Sequence, residues 1–210
     1  MGLMDKIVKQ AGYPTGTFGK LMVRLMNYGH GKVTRWGLSH LSISKSDTIL
    51  DIGCGGGKTI NILARIATQG KVYGIDVSEA AIAVASKTNK KLIEAGQVEI
   101  FHASVESLPF PDDFFDMVTA VEAYYFWPDL VNNLKEIHRV LKHGGSVALI
   151  NEMYRDNRFE KRNAKWAKIV ADNYHLPEEF REFLKDAGYS SMQIEVLEDK
   201  NWITAMGTKN

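Results

Sequence analysis

Residues 49–57 read Ile49-Leu50-Asp51-Ile52-Gly53-Cys54-Gly55-Gly56-Gly57, and Lys58-Thr59 follow. A short apolar run ends in an acid, and glycines then stand at 53, 55 and 57. From Lys58 onward, Ile60, Ile62, Leu63, Ile66 and Ala67 fall close to helical spacing. The stretch predicts a strand, a glycine turn and a helix. Glycine takes positive φ and leaves room for ligand atoms where a Cβ would stand. The helix start behind it offers unpaired N–H groups.

Three kinds of glycine loop compete for this pattern. The dinucleotide fingerprint G-x-G-x-x-G, begun at Gly53, requires a glycine where Lys58 stands. The phosphate loop G-x-x-x-x-G-K-[ST] matches its end at Gly57-Lys58-Thr59 but requires a glycine where Ile52 stands. The third pattern, D-x-G-x-G-x-G, is met in full by Asp51, Gly53, Gly55 and Gly57.

On those four residues the chain resembles the class I S-adenosylmethionine-dependent methyltransferases, and more narrowly the "type 11" small-molecule enzymes similar to the ubiquinone and sterol methyltransferases. The ligand chemistry agrees. S-adenosylmethionine has no phosphates, and its ammonium and sulfonium are positive, which suits an acid at the end of the first strand, directly or through water. The resemblance implies that Asp51 serves the methionine end of the cofactor. It implies also that Gly53, Cys54, Gly55 and Gly57 carry backbone close to it. Cys54 reads as a small space-filler, not a nucleophile.

Further along, Lys71-Val72-Tyr73-Gly74-Ile75 reads as a second strand ending at Asp76, with Val77 beside it. An acid at this distance from the loop accepts bonds from ribose hydroxyls, and the resemblance implies that role for Asp76. A helix is expected over 78–95, capped by Ser78 and ended by Gly96. Val98-Glu99-Ile100-Phe101 is a third strand. The family places an acid on the adenine amino group just before a Leu-Pro-Phe-Pro stretch. Here Ser104 occupies that place ahead of Leu108-Pro109-Phe110, and Val105 and Glu106 complete the adenine candidates.

Residues 114–121 read as a central buried strand, near-continuously apolar as parallel strands are. Glu122 follows at its carboxyl end, where ligands of open α/β sheets sit, so it is a candidate for both cofactor contact and catalysis. The run Tyr124-Tyr125-Phe126-Trp127 is expected to wall a pocket, with Tyr124 and Tyr125 facing the cleft. Asp129 caps a helix running to about residue 142, Lys142-His143-Gly144-Gly145 stops it, and residues 147–150 form a fifth strand. Residues 178–187 read as a short helix, and 189–197 with 201–207 as an antiparallel hairpin.

The expected fold is α/β: a Rossmann-like three-layer αβα sandwich with a mostly parallel seven-stranded sheet and an antiparallel C-terminal hairpin strand. The 210 residues are expected to form a single domain, a methyltransferase domain by the resemblance. Within it, 1–46 is an N-terminal helical cap, 47–151 the cofactor-binding core, 152–188 an acceptor-side helical insertion and 189–210 the hairpin. In related methyltransferases such an N-terminal piece covers the cofactor, which makes His30 and Asn27 cleft candidates. A net charge of +1 supplies no footprint for nucleic acid. No apolar run is long enough for a bilayer and no signal peptide is evident, so a cytoplasmic location is expected. One cysteine excludes an internal disulfide, and the six histidines show no metal-ligand spacing, so no metal is expected.

The expected activity is methyl transfer from S-adenosylmethionine to a small-molecule acceptor, yielding S-adenosylhomocysteine, by a monomer or homodimer. The sulfonium is already an activated leaving group, so the protein must align the acceptor and exclude water. Glu122, His30 and Tyr125 are the general-base candidates. Two other readings stand beside it: a non-catalytic cofactor-binding or regulatory protein, and an NAD-dependent oxidoreductase.

Overall fold

A computed structural model of the protein describes residues 12–170 and 173–210, the side chains of 26–28 and 169 excepted. Among the described residues, helices α1 (Gly16–Gly29) and α2 (Gly31–Leu38) precede β1 (Thr48–Ile52). Then follow α3 (Lys58–Ile66), β2 (Lys71–Asp76), α4 (Glu79–Thr88), α5 (Lys90–Glu94), β3 (Val98–His102) and β4 (Phe115–Val121). After a 3-10 turn at Tyr124–Phe126 come α6 (Leu130–Val140), β5 (Leu141–Asn151), α7 (Glu160–Ile169), α8 (Pro177–Asp186), β6 (Met192–Leu197) and β7 (Trp202–Thr208).

The strands form one seven-stranded sheet in the order β3-β2-β1-β4-β5-β7-β6. Strands β1 to β5 pair in parallel, and β7 runs antiparallel to both β5 and β6. The expected Rossmann-like sheet with its antiparallel hairpin is therefore present. Successive strand residues alternate between two apolar layers. Leu50, Ile52, Val118 and Ala120 pack toward α6 and α8 through Leu134, Ile137, Phe180 and Leu184. Ile49, Val72 and Met117 pack toward α2 and α3 through Val33, Leu38, Ile60 and Leu63. Both faces are covered, which is why β1 and β4 read as continuous apolar runs. Strand order reverses between β1 and β4, so the carboxyl ends of β1, β2 and β4 border the crevice where α/β sheets hold ligands.

Two boundaries differ from expectation. The helix expected over 78–95 is broken at Asn89, which has φ −108° and ψ 17°. Its buried amide donates to the carbonyls of Gly57 at 2.9 Å and Ala85 at 3.1 Å, so a tie to the glycine loop interrupts the helix. The second difference lies at Leu141, which already pairs with Phe115. The Lys142–Gly145 stretch is an irregularity inside β5, with a register shift between Phe115 and Met117 and Gly144 at φ 81°, not a helix end. Among the described residues no helix is long and apolar enough to cross a membrane.

Candidate functional site

The loop after β1 is held by the end of β2. Cys54 N–H donates to the Ile75 carbonyl at 2.9 Å, and Gly55 N–H donates to Asp76 Oδ2 at 2.9 Å. Asp76 Oδ1 accepts from Ser78 N–H at 2.9 Å, and Ser78 in turn caps α4 through Ala81 N–H. Gly53 and Gly55 have φ of 66° and 51°, a region that L side chains avoid. A Cβ on Gly53 would stand 2.7 Å from the Ala123 Cβ, whereas one on Gly55 would meet only the Gly53 carbonyl oxygen, at 4.0 Å. Glycine at 55 thus keeps open a space that any other residue would fill.

That space belongs to a cleft of about 240 Å³. Gly53, Cys54, Gly55, Asp76 and Val77 form one wall. Ser104, Val105 and Glu106 close one end; the Ser104 hydroxyl donates to Glu106 Oε2 at 3.1 Å and accepts from Glu106 N–H at 3.2 Å. Val23 of α1 and Thr34 of α2 also line it, together with His30 between those helices. Phe126, Trp127 and Pro128 complete the lining. Burial pushes the Asp76 carboxyl up, opposed by its N–H donors at Ser78 and Gly55. Burial also pushes the Cys54 thiol well up, with Asp76 and Asp51 adding to it, so it is a filler without thiolate character.

At the end of β4, Glu122 holds φ 56°, unusual for a non-glycine residue. Its Oε1 accepts the backbone N–H of Glu152, just past the end of β5. Its Oε2 lies 3.9 Å from His30 Nδ1, and Glu152 Oε2 lies 3.7 Å from the same nitrogen. That Nδ1 is buried and has no hydrogen-bond partner among the described residues. Burial pushes the Glu122 carboxyl up to about 8, with the charge of Glu152 adding to it. Burial pushes the Glu152 carboxyl up too, and holds the His30 imidazole below its usual value.

Most of the residues expected in the site converge on this cleft, and four do not. Asp51 does not line it; it is buried behind the loop, where its Oδ1 accepts the Thr119 hydroxyl at 2.8 Å. Burial pushes that carboxyl up to about 7. Gly57 lies beneath the loop, with φ 75° and its carbonyl on Asn89. Tyr124 and Tyr125 are core residues, not cleft walls. The Tyr125 hydroxyl donates to the Met153 carbonyl at 2.8 Å, which removes it from reach of the cleft. The 3-10 turn sets the phase: it points both tyrosines inward and leaves Phe126 41% exposed at the cleft. The side chain of Asn27 falls outside the described residues. Phe126 and Trp127 of the aromatic run do line the cleft, and Thr34, Pro128 and, through His30, Glu152 join the site without having been singled out for it. For Glu152 the available signal was its place just past an apolar strand, equivalent to that of Glu122. No group of three metal-ligating side chains that could hold an ion occurs among the described residues.

A glycine-lined cleft at the carboxyl ends of parallel strands, at a reversal of strand order, defines a Rossmann-like ligand-binding α/β protein. The family model described as a methyltransferase domain matches residues 50–149. A Bacillus subtilis (strain 168) protein described as the uncharacterized methyltransferase YdaC is 30% identical over 141 residues, covering 67% of this chain and 76% of that protein. The demethylmenaquinone methyltransferase of Lysinibacillus sphaericus (strain C3-41) is 35% identical over 114 residues, 54% of this chain and 47% of that protein. The chain thus spans about half the length of that relative. A SAM-dependent methyltransferase from Aquifex aeolicus shares the fold with a TM-score of 0.75 at 18% identity, covering 91% of this chain and 98% of that one. The chain belongs to the class I S-adenosylmethionine-dependent methyltransferases.

Proposed function

We propose that this enzyme transfers a methyl group from S-adenosylmethionine to a small-molecule acceptor by direct in-line displacement, with the cofactor in the cleft beside β1, β2 and β4. The observation that carries the reading is the Asp76–Gly55 tie. It sets a carboxylate with spare acceptor capacity beside Gly55, where a side chain would stand in uncrowded space. In this reading Asp76 accepts the ribose hydroxyls, with Val77 alongside. Gly53, Cys54 and Gly55 pass their backbone along the methionine end. Ser104, Val105 and Glu106 bracket the adenine. Asp51 and Gly57 act through the loop they support, Asp51 through its field and Gly57 through its fit against Asn89. The cofactor supplies a methyl carbon on a sulfonium, already activated for displacement.

The protein's share is orientation and exclusion of water. Val23, Phe126 and Trp127 provide apolar cover, and Glu122 with His30 provides proton-accepting capacity at the acceptor end. No metal enters this scheme. The name of the demethylmenaquinone relatives points to a small organic acceptor for those proteins, which supports the same class here. Calorimetric titration with S-adenosylmethionine, S-adenosylhomocysteine and NAD tests the reading. Binding of the first two with no response to NAD is expected; absence of all binding overturns it. Mass-spectrometric detection of S-adenosylhomocysteine release in a metabolite mixture then tests turnover.

A further inference from the structure

We propose that the acceptor is an amine, received as its ammonium by Glu122, Glu152 and His30; this rests on the methyltransferase reading of the cleft. Two carboxylate oxygens stand 3.9 and 3.7 Å from one imidazole nitrogen, close enough to converge on a small group and too far to satisfy it. His30 Nδ1 has no partner among the described residues. Glu122 and His30 line the cleft and Glu152 stands behind them on the same nitrogen, a set of acceptors suited to the donors of an ammonium.

The surroundings favour positive charge. The groups acting on Glu122 are Glu152, Tyr124 and Tyr125, none of them cationic. The cation acting on Glu152 is Arg162, whose guanidinium is spent on Asn163, the Lys200 carbonyl and Asn201. A carboxylate or phosphate acceptor would enter this end against two glutamates, while Lys58, the lysine in the cleft lining, stands beside the glycine loop. Phe126 and Trp127 in the same lining are aromatic groups compatible with a cation.

The arriving positive charge draws Glu122, whose carboxyl burial raises to about 8, into its ionised form; burial favours neutral His30, so its Nδ1 takes one proton from the ammonium and the imidazolium forms beside the two carboxylates. The freed nitrogen lone pair forms the bond to the methyl carbon as the carbon–sulfur bond breaks, its electron pair staying on sulfur. The product leaves as a methylated ammonium, and the imidazolium returns its proton to water. Positive charge arriving on nitrogen is stabilised by the same two glutamates.

The test is calorimetric binding of phenethylamine and of 2-phenylethanol to the enzyme saturated with S-adenosylhomocysteine. At pH 7 the amine is expected to bind at least tenfold more tightly than the alcohol, about 1.4 kcal/mol. Glu152→Gln and Glu122→Gln are each expected to lower that preference, and Glu152→Gln, outside the cleft lining, to do so without changing the S-adenosylhomocysteine Kd by more than about twofold. With a competent amine, His30→Asn is expected to lower kcat by about 10²-fold and to remove the acidic limb of its pH profile. A preference below about threefold, including failure of both probes to bind, overturns the proposal. So does a preference that survives both glutamine variants. Failure of S-adenosylhomocysteine itself to bind would instead strike the methyltransferase reading beneath it.

Discussion

The Oδ2 of Asp76 accepts the backbone N–H of Gly55 at 2.9 Å, so the acid at the end of β2 holds the glycine loop that follows β1. Asp76 is in this way both a ligand candidate and the anchor of its neighbouring wall.

Asp76→Ala removes the acceptor for Gly55 and Ser78 N–H together. A stability loss of about 1–3 kcal/mol is expected, since hydrogen bonds to charged groups carry roughly that much. Affinity for S-adenosylhomocysteine should fall much further, by about 10²-fold, because the loop and the hydroxyl contacts fail together. Urea unfolding and calorimetry on the same variant separate the two effects. A Kd within threefold of the parent value would remove Asp76 from the binding wall.

The carboxyl of Glu122 lies at about 8 in the folded chain against an ordinary 4.5. Folding therefore favours its protonated form. The stability associated with that form is fully present below 4.5 and is lost as pH rises through 8. Glu122→Gln keeps an oxygen for the Glu152 N–H and cannot ionise. It should match the parent at pH 4 and exceed it by about 1–3 kcal/mol at pH 9. Denaturant midpoints across that range give the answer, and a gap that shrinks with rising pH contradicts the assignment. Asp51→Asn should behave with the same sign over a lower window, from 3.8 to about 7.

Two loop glycines are glycine for different reasons. A Cβ on Gly55, which lines the cleft, would meet only the Gly53 carbonyl oxygen at 4.0 Å, so Gly55→Ala should cost only the left-handed backbone penalty, roughly 1–2 kcal/mol, while reducing cofactor affinity more than tenfold. A Cβ on Gly57 would lie 2.4 Å from Asn89 Nδ2 and 3.0 Å from the Ala85 backbone. Gly57→Ala should therefore lose about 2–4 kcal/mol of stability. Thermal melts with and without S-adenosylhomocysteine distinguish the pair: the first variant loses the ligand-induced shift, the second loses the baseline.

Asn89→Ala leaves the buried carbonyls of Gly57 and Ala85 without their side-chain donor. A loss of about 1–3 kcal/mol is expected, which lowers Tm by about 2–4 °C for each kcal/mol in a chain of this size. An unchanged melting curve would show that the helix break carries no energetic weight.

The alternation of strands and helices was legible because apolar periodicity and turn glycines are local signals. Asp51, Gly53, Gly55 and Asp76 could be picked out one after another for the same reason. The hairpin at Met192–Leu197 and Trp202–Thr208 was legible too, since the two apolar runs are close in the chain. Asn89 was not. It reads as one more residue in a helical pattern, and its break depends on a carbonyl 32 positions away.

The phase of a one-turn 3-10 segment was equally hidden. Four consecutive aromatics carry no period, so the sequence could not say that Tyr124 and Tyr125 turn into the core while Phe126 and Trp127 face the cleft. By itself, the sequence determined the strand–glycine–helix unit and the acid that follows it, because each is encoded within about thirty residues by burial pattern and backbone freedom. Only the tertiary structure decided that His30, Glu122 and Glu152 meet, because they come from three separate elements and nothing local links them. Parallel pairing of β4 with β5 brings the two glutamates to one sheet edge, and the packing of α2 against β5 and β7 brings the histidine at its start over them.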